Sequence, residues 1–133
     1  QLIDYVHESA KKDFENIALK YWPGALTLII PCSKKDSKTL TSTDCTLGLR
    51  IPNSYTAQSL MKETGPLLTS SANISGSTGS ITAEGVALDF PSVSILGPVP
   101  WEKGSGKAST ILSWRKNRQW RLVREGQVLI NEF

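Results

Sequence analysis

The segment 65–76, which reads GPLLTSSANISG, carries the side chains best suited to binding an anion. Its apolar start predicts a short buried strand, and Thr69, Ser70 and Ser71 place three hydroxyls where that strand would end. Asn73 adds an amide shortly before a Ser-Gly turn. In open α/β sheets, ligands bind beyond the carboxyl ends of strands, where small side chains leave backbone N–H groups free to hold an anion. An ordinary serine-rich loop is the alternative interpretation.

Arg50 is the second candidate, because it falls within a predicted strand at 46–51. The two-residue period of a strand puts Leu47, Leu49 and Ile51 on one face and puts Gly48 and Arg50 on the other. The glycine would leave room above the sheet, where a guanidinium could bind a carboxylate or a phosphate through two parallel hydrogen bonds. A solvent-facing arginine on a half-exposed sheet is an equally good interpretation.

The surrounding pattern alternates helices and strands early in the chain and becomes strand-rich later. Apolar and β-branched runs predict strands at 25–30, 46–51, 66–68, 93–96, 109–112 and 120–123, the last two joined by a basic turn at 115–118. Helical spacing of apolar residues predicts three helices. The first ends at Tyr21, the second runs over 53–63 and closes at Gly65, and the third begins after Thr82. This order favours an α/β sheet of mixed strand direction.

The composition excludes several classes of site. Cys32 and Cys45 are the only cysteines and His7 is the only histidine, so neither a zinc site nor a Ser-His-Asp triad is expected. Two cysteines make no disulfide framework, which favours a reducing cytoplasm. No apolar run approaches the roughly 20 residues of a membrane span. The net charge of +3 and the lysines of a polar loop at 32–44 suit an anionic ligand or RNA, although a solvated loop is the favoured interpretation of those lysines.

Five short motifs, taken in order, resemble the YrdC/Sua5 family of threonylcarbamoyl-AMP synthases. They are YWPGALTL at 21–28, LGLRIP at 47–52, PLLTSSANISG at 66–76, ASTI at 108–111 and REG at 124–126. The Ser-Ala-Asn at 71–73 favours the synthase-like members over the related YciO branch. The resemblance implies one YrdC/RibB-like domain over 1–133, with an open, twisted mixed β-sheet and flanking helices, an α/β (α+β) fold.

The family resemblance implies an enzyme that uses ATP, L-threonine and bicarbonate to make threonylcarbamoyl-AMP and pyrophosphate. The product feeds the t6A modification of adenosine 37 in tRNAs that read ANN codons, so t6A-pathway transferase proteins are the implied partners. Mg²⁺ would arrive with ATP, and neither a tightly bound cofactor nor a membrane is implied. Because such nucleotidyl transfer needs positioning and charge neutralisation more than a protein acid or base, no residue is assigned as catalytic.

The resemblance also assigns binding residues by position. The threonine-binding positions are Arg50, Thr69 and Ser109. The ATP-binding positions are Ser70, Ser71, Asn73 and Arg124.

One part of the family pattern is missing from the sequence. The family opens with a strand and turn that bind threonine, followed by a Lys-x-Arg motif that binds the triphosphate. Lys11-Lys12 is not that motif, because it falls within a helical pattern and lacks a Lys-x-Arg-Pro context. We therefore expect the chain to be the C-terminal two-thirds of the domain and, by itself, to be weakly active or inactive.

Two alternatives remain open at the level of sequence. The basic balance also suits a module of the same fold that binds tRNA or double-stranded RNA without catalysis. Trp101, Trp114 and Trp120 lack the spacing of an aromatic stacking motif, which argues against it. A purely structural role is the other alternative.

Overall fold

The computed structural model of the protein describes residues 2–33 and 45–130, and the predicted basic loop with Lys34, Lys35 and Lys38 lies outside them. Its elements are two 3₁₀ turns (Leu2–Tyr5 and Glu8–Ala10), α1 (Lys11–Tyr21), β1 (Leu26–Pro31), β2 (Thr46–Leu49), α2 (Tyr55–Thr64), α3 (Ala83–Asp89), β3 (Thr110–Trp114) and β4 (Trp120–Arg124). They form two compact units, one made of residues 1–54 and 107–133 and the other of residues 55–106. No helix among the described residues is long and apolar enough to cross a membrane.

The first unit contains a four-stranded sheet in the order β2-β1-β3-β4. β1 pairs antiparallel with β2 and parallel with β3, and β3 pairs antiparallel with β4. The sheet is therefore open and mixed, as the sequence predicts. These directions bring the start of β1, the end of β2, the start of β3 and the end of β4 to one end of the sheet, which we call the motif end.

The two faces of this sheet have different roles. Leu26, Leu28 and Ile30 of β1 are fully buried, and Leu112 of β3 joins them in the core. Helix α1 covers this core face with Phe14, which is also buried, and with the apolar residues that share its helical stripe. The alternate residues of β1 and β3 are only half-buried and form the opposite face, called the open face below.

Sequence patterns locate most element ends to within a few residues. Strand β2 ends at Leu49, so Arg50 lies just past the strand rather than inside it. β3 begins at Thr110, so Ser109 lies just before it. Helix α2 begins at Tyr55 and closes at Gly65, whose φ of +77° lets its N–H reach the Met61 carbonyl at 3.0 Å.

The second unit corrects two strand predictions. Residues 66–68 and 93–96 are not strands, and Leu67 and Leu68 are 47% and 78% exposed. An apolar run becomes a strand only where a neighbouring strand accepts its backbone hydrogen bonds, and none of the four described strands pairs with these runs. The helix prediction at Thr82 is confirmed, since its hydroxyl accepts the Gly85 N–H at 3.1 Å.

A carboxylate pins helix α1 to the hairpin between β3 and β4. Asp13 accepts hydrogen bonds from Trp114 Nε1 at 2.9 Å and from Arg118 Nη2 at 3.1 Å. Arg118 belongs to the predicted turn, which the Arg115 N–H closes on the Gln119 carbonyl at 2.9 Å. The Arg118 guanidinium, and then the Trp114 N–H, hold the pKa of Asp13 below its ordinary value of 3.8, because both favour the ionised carboxylate.

We predict that Asp13→Asn lowers the free energy of unfolding by on the order of 1 kcal/mol at pH 7, because the amide loses the charge that Arg118 pairs with. Since the folded-state pKa is depressed, this contribution is present above about pH 4 and is lost as the pH falls through the folded value. Thermal unfolding at pH 7 and pH 3 checks it, and the difference in stability between the two proteins should be smaller at the lower pH.

Glu8→Gln is the matched control, because Glu8 forms an ion pair with Lys11 at 2.7 Å that is largely exposed. Its unfolding should match that of the unmodified chain at both pH values. A gap between Asp13→Asn and the unmodified chain that stays constant down to pH 3 would contradict the assignment.

Candidate functional site

Three side chains meet on the open face at the motif end. Ser109 Oγ lies 2.9 Å from Thr27 Oγ1, and Arg124 Nη2 donates to Ser109 Oγ at 3.1 Å. Arg124 also donates to the Ser109 carbonyl, from Nη2 at 2.8 Å and from Nε at 3.0 Å. Through Nε and Nη2, the guanidinium thus holds both the backbone and the hydroxyl of Ser109. Nη1 donates to no group of the described chain.

A β-bulge in β4 places Arg124 on the open face of the sheet. Leu112 pairs with Leu122, but Ile111 pairs with Arg124, so Val123 is an extra residue in β4. Without the extra residue, Arg124 would pair with the position of buried Thr110 and would share the core face. Because a shift of one residue reverses the faces of a strand, the bulge directs the guanidinium to the open face.

The segment after β4 folds back against the start of β3. A Cβ at Gly126 would overlap the Ala108 carbonyl oxygen and lie 2.5 Å from Ser109 C and from Thr110 N, so only glycine fits there. The buried Thr110 hydroxyl donates to the Val128 carbonyl at 2.6 Å and accepts the Val128 N–H at 3.1 Å. This contact fixes the backbone that carries Ser109.

We predict that Gly126→Ala lowers the free energy of unfolding by about 1–3 kcal/mol, because the new methyl group forces two backbone segments apart. The backbone amide resonances of Ser109 and Thr110 should shift with it. Gly104→Ala is the control, because no atom of the described residues, apart from its neighbours in sequence, lies within 4 Å of a Cβ at that position. It should change stability by less than about 0.5 kcal/mol. Unchanged denaturant unfolding of Gly126→Ala would contradict the close approach.

Arg50 lies at the same end of the sheet. Its Nε donates to the Gly24 carbonyl at 2.9 Å, and the Gly24 N–H donates to the Ile51 carbonyl at 2.8 Å. Although the residue is exposed, nearby protein removes enough water from the guanidinium to lower its pKa, and it stays charged at neutral pH. The room predicted above Gly48 is present, because a Cβ there would meet only Thr27 Cγ2, at 3.7 Å, among the described residues.

The Ser-rich segment belongs to the second unit. Thr69, Ser70 and Ser71 are exposed, and within the described chain their hydroxyls make no hydrogen bond to protein. Asn73 is half-buried, and its Nδ2 donates to the carbonyls of Ile74 at 3.1 Å and of Ser77 at 3.2 Å. Asn73 therefore shapes the turn, while the three residues before it with hydroxyl groups are exposed.

The structure therefore brings some predicted site residues together within the first unit. Ser109 and Arg124 are in direct contact, and Arg50 lies at the same sheet end. Thr27 and Gly126 fall within the quoted motifs, yet sequence reasoning gave them no role. A hydroxyl alternating with buried leucines was the only signal for Thr27. Among the described residues, no group of three or more His, Cys, Asp or Glu side chains could hold a metal ion.

A family model for Sua5/YciO/YrdC domains, described as "Telomere recombination", matches residues 1–126. The chain belongs to the Sua5/YciO/YrdC family. It is 38% identical over 109 residues to a threonylcarbamoyl-AMP synthase of Bacillus subtilis, covering 78% of this chain and 31% of that protein. It is 37% identical over 92 residues to the synthase of Idiomarina loihiensis, covering 68% of this chain and 50% of that protein. The chain thus spans a third to a half of these relatives.

Solved structures of this family have the same fold. P. abyssi Sua5 complexed with L-threonine superposes with a TM-score of 0.79 and 30% identity, covering 95% of this chain and 37% of that one. E. coli YciO gives a TM-score of 0.62 at 23% identity, covering 92% of this chain and 58% of that one, which supports the fold alone. The open mixed sheet is therefore the Sua5-type α/β fold.

Proposed function

We propose that the chain supplies part of a threonylcarbamoyl-AMP synthase and binds L-threonine and ATP. The observation that carries the proposal is the grouping of Arg50, Ser109 and Arg124 at one end of the sheet. It is supported by relatives that are named as this synthase and by the similarity to a Sua5 complexed with L-threonine.

The charge at this sheet end favours an anionic ligand. Gly24 and Ser109, the partners of Arg50 and Arg124, are neutral acceptors. Among the described residues, neither guanidinium is paired with a carboxylate, in contrast to Arg118, which Asp13 neutralises. Two positive charges without a carboxylate partner among the described residues therefore lie at the motif end. In the proposed complex, Arg50 binds the threonine carboxylate and Ser109 also contacts threonine. The family resemblance assigns Thr69 as a further threonine-binding position.

The nucleotide would use the remaining assigned residues. Arg124 would offer Nη1 to a phosphate oxygen. The resemblance also assigns Ser70 and Ser71 to the nucleotide, and their hydroxyls make no hydrogen bond within the described chain. Asn73, whose Nδ2 is engaged in its turn, would contribute through its amide oxygen or through the backbone that it shapes. Mg²⁺ would come as part of the ATP complex.

The proposed reaction is nucleotidyl transfer. Bicarbonate and the threonine amine form a carbamate with loss of water. The carbamate carboxylate then attacks the α-phosphorus of ATP while pyrophosphate leaves. The protein contributes orientation and positive charge, which suits a site built from guanidinium and hydroxyl groups. The product would pass to t6A-pathway transferases in the cytoplasm. We also propose that this chain alone turns over weakly, and pyrophosphate release near the rate of a full-length relative would contradict that.

Arg50→Lys should weaken L-threonine binding by at least about tenfold, because lysine keeps the charge but loses the planar pair of donors that fits a carboxylate. Isothermal titration of the 133-residue chain with L-threonine measures this directly. Arg115→Lys is the matched control, because Arg115 lies in the turn at the opposite end of β3. The control should bind threonine as the unmodified chain does.

Separate titrations with ATP and with tRNA test the function as a whole. The proposal expects both ATP and L-threonine to bind. It also expects the affinity for L-threonine to change little with salt concentration. Binding of tRNA that weakens steeply with salt, together with no binding of ATP or threonine, would contradict it and favour an RNA-binding module.

A further inference from the structure

The Ser109 hydroxyl is held by two protein groups that compete with a ligand for its hydrogen-bonding capacity. A serine hydroxyl has one hydrogen to donate and two lone pairs to accept with. Arg124 Nη2, which only donates, occupies one lone pair at 3.1 Å. One lone pair and one hydrogen are then left for Thr27, whose Oγ1 is 2.9 Å away, and for whatever binds at the open face.

Thr27 is oriented for this contact by its place in the sheet. β1 lies between β2 and β3. The Thr27 methyl group faces β2, because Cγ2 is the atom that a Cβ at Gly48 would meet, and its hydroxyl faces β3 and Ser109. A β-branched side chain has few χ1 alternatives, so this orientation is stiff. The hydroxyl hydrogen is the only part that must rotate.

Two proton arrangements are available to the pair, and they differ in what a ligand meets. If Ser109 donates to Thr27, the ligand meets a lone pair of Ser109, which repels an anionic oxygen. If Thr27 donates to Ser109, both lone pairs of Ser109 are occupied, and its O–H is left to donate outward. Two donors on Ser109 Oγ also polarise that O–H and strengthen its hydrogen bond to an anion.

We propose that Thr27 is a positioning residue that donates its hydroxyl hydrogen to Ser109 Oγ, so that the Ser109 O–H is directed at an anionic oxygen of the ligand. That oxygen belongs to a carboxylate or a phosphate. The identity of the anion rests on the proposed function, whereas the arrangement of donors rests on the geometry of Thr27, Ser109 and Arg124.

The test is a titration of the isotope-labelled chain that follows the backbone amide resonances of Ser109 and Thr110 by NMR. L-threonine, ATP and inorganic phosphate are added separately, so that a carboxylate is distinguished from a phosphate. Thr27→Val should lower the affinity for the anion about three- to tenfold, because it removes one hydrogen bond while keeping the shape of the side chain. Thr27→Ser keeps the hydroxyl and should bind within about twofold of the unmodified chain.

A double-mutant cycle separates positioning from a structural role. If Thr27 acts through Ser109, Thr27→Val should cause no further loss in a Ser109→Ala background, whereas an independent role would give additive losses. Thermal unfolding checks that each variant is folded. Thr27→Ala replaces Thr27→Val, with the same expected result, if the valine variant does not fold.

The outcomes distinguish this inference from the proposed function. Unchanged binding in Thr27→Val, or additive losses in the cycle, overturns the inference while threonine and ATP binding still supports the function. If inorganic phosphate binds with the same dependence on Thr27 but neither L-threonine nor ATP binds, the inference is supported and the proposed function is contradicted. If none of the three probes shifts the Ser109 and Thr110 resonances of the unmodified chain, both are overturned.

Discussion

The parallel pairing of β1 with β3 is the contact on which the rest of the first unit depends. The Thr110 N–H donates to the Ala25 carbonyl at 2.9 Å, and this pairing brings Thr27 next to Ser109, 82 positions later in the chain. The same pairing joins Leu26 and Leu28 to Leu112 in the buried core. The core and the open face are thus two sides of one set of backbone hydrogen bonds, so the residues that stabilise the fold also fix the positions of Thr27 and Ser109.

Local patterns in the sequence predict the local parts of this structure. The stripe of helix α1, the strand at β1 and the hairpin between β3 and β4 each depend on neighbours a few residues apart, and each is confirmed. The runs at 66–68 and 93–96 are equally apolar, but the strand predictions there are wrong. Composition alone does not reveal whether a partner strand lies alongside, since that depends on distant parts of the chain.

The candidate site shows the same division. Arg50, Ser109 and Arg124 can be found by motif, yet their placement at one sheet end requires the strand order and the bulge beside Val123. The spacing of LTLII gives no hint that Thr27 touches a serine far along the chain. The roles of Thr69, Ser70, Ser71 and Asn73 stay predictions that rest on resemblance, and the second unit supplies only their exposure and the local turn around Asn73.

The segment after β4, which folds back against the start of β3, determines when the candidate site can form during synthesis of the chain. Gly126 and Val128 hold the backbone at Ala108 and Thr110, and Arg124 holds Ser109. During synthesis on a ribosome, β1, β2 and helix α1 emerge well before any of these contacts can be made. The candidate site is therefore completed only after position 128 has left the exit tunnel, so an incompletely synthesised chain does not yet have the contacts that hold Ser109 in place.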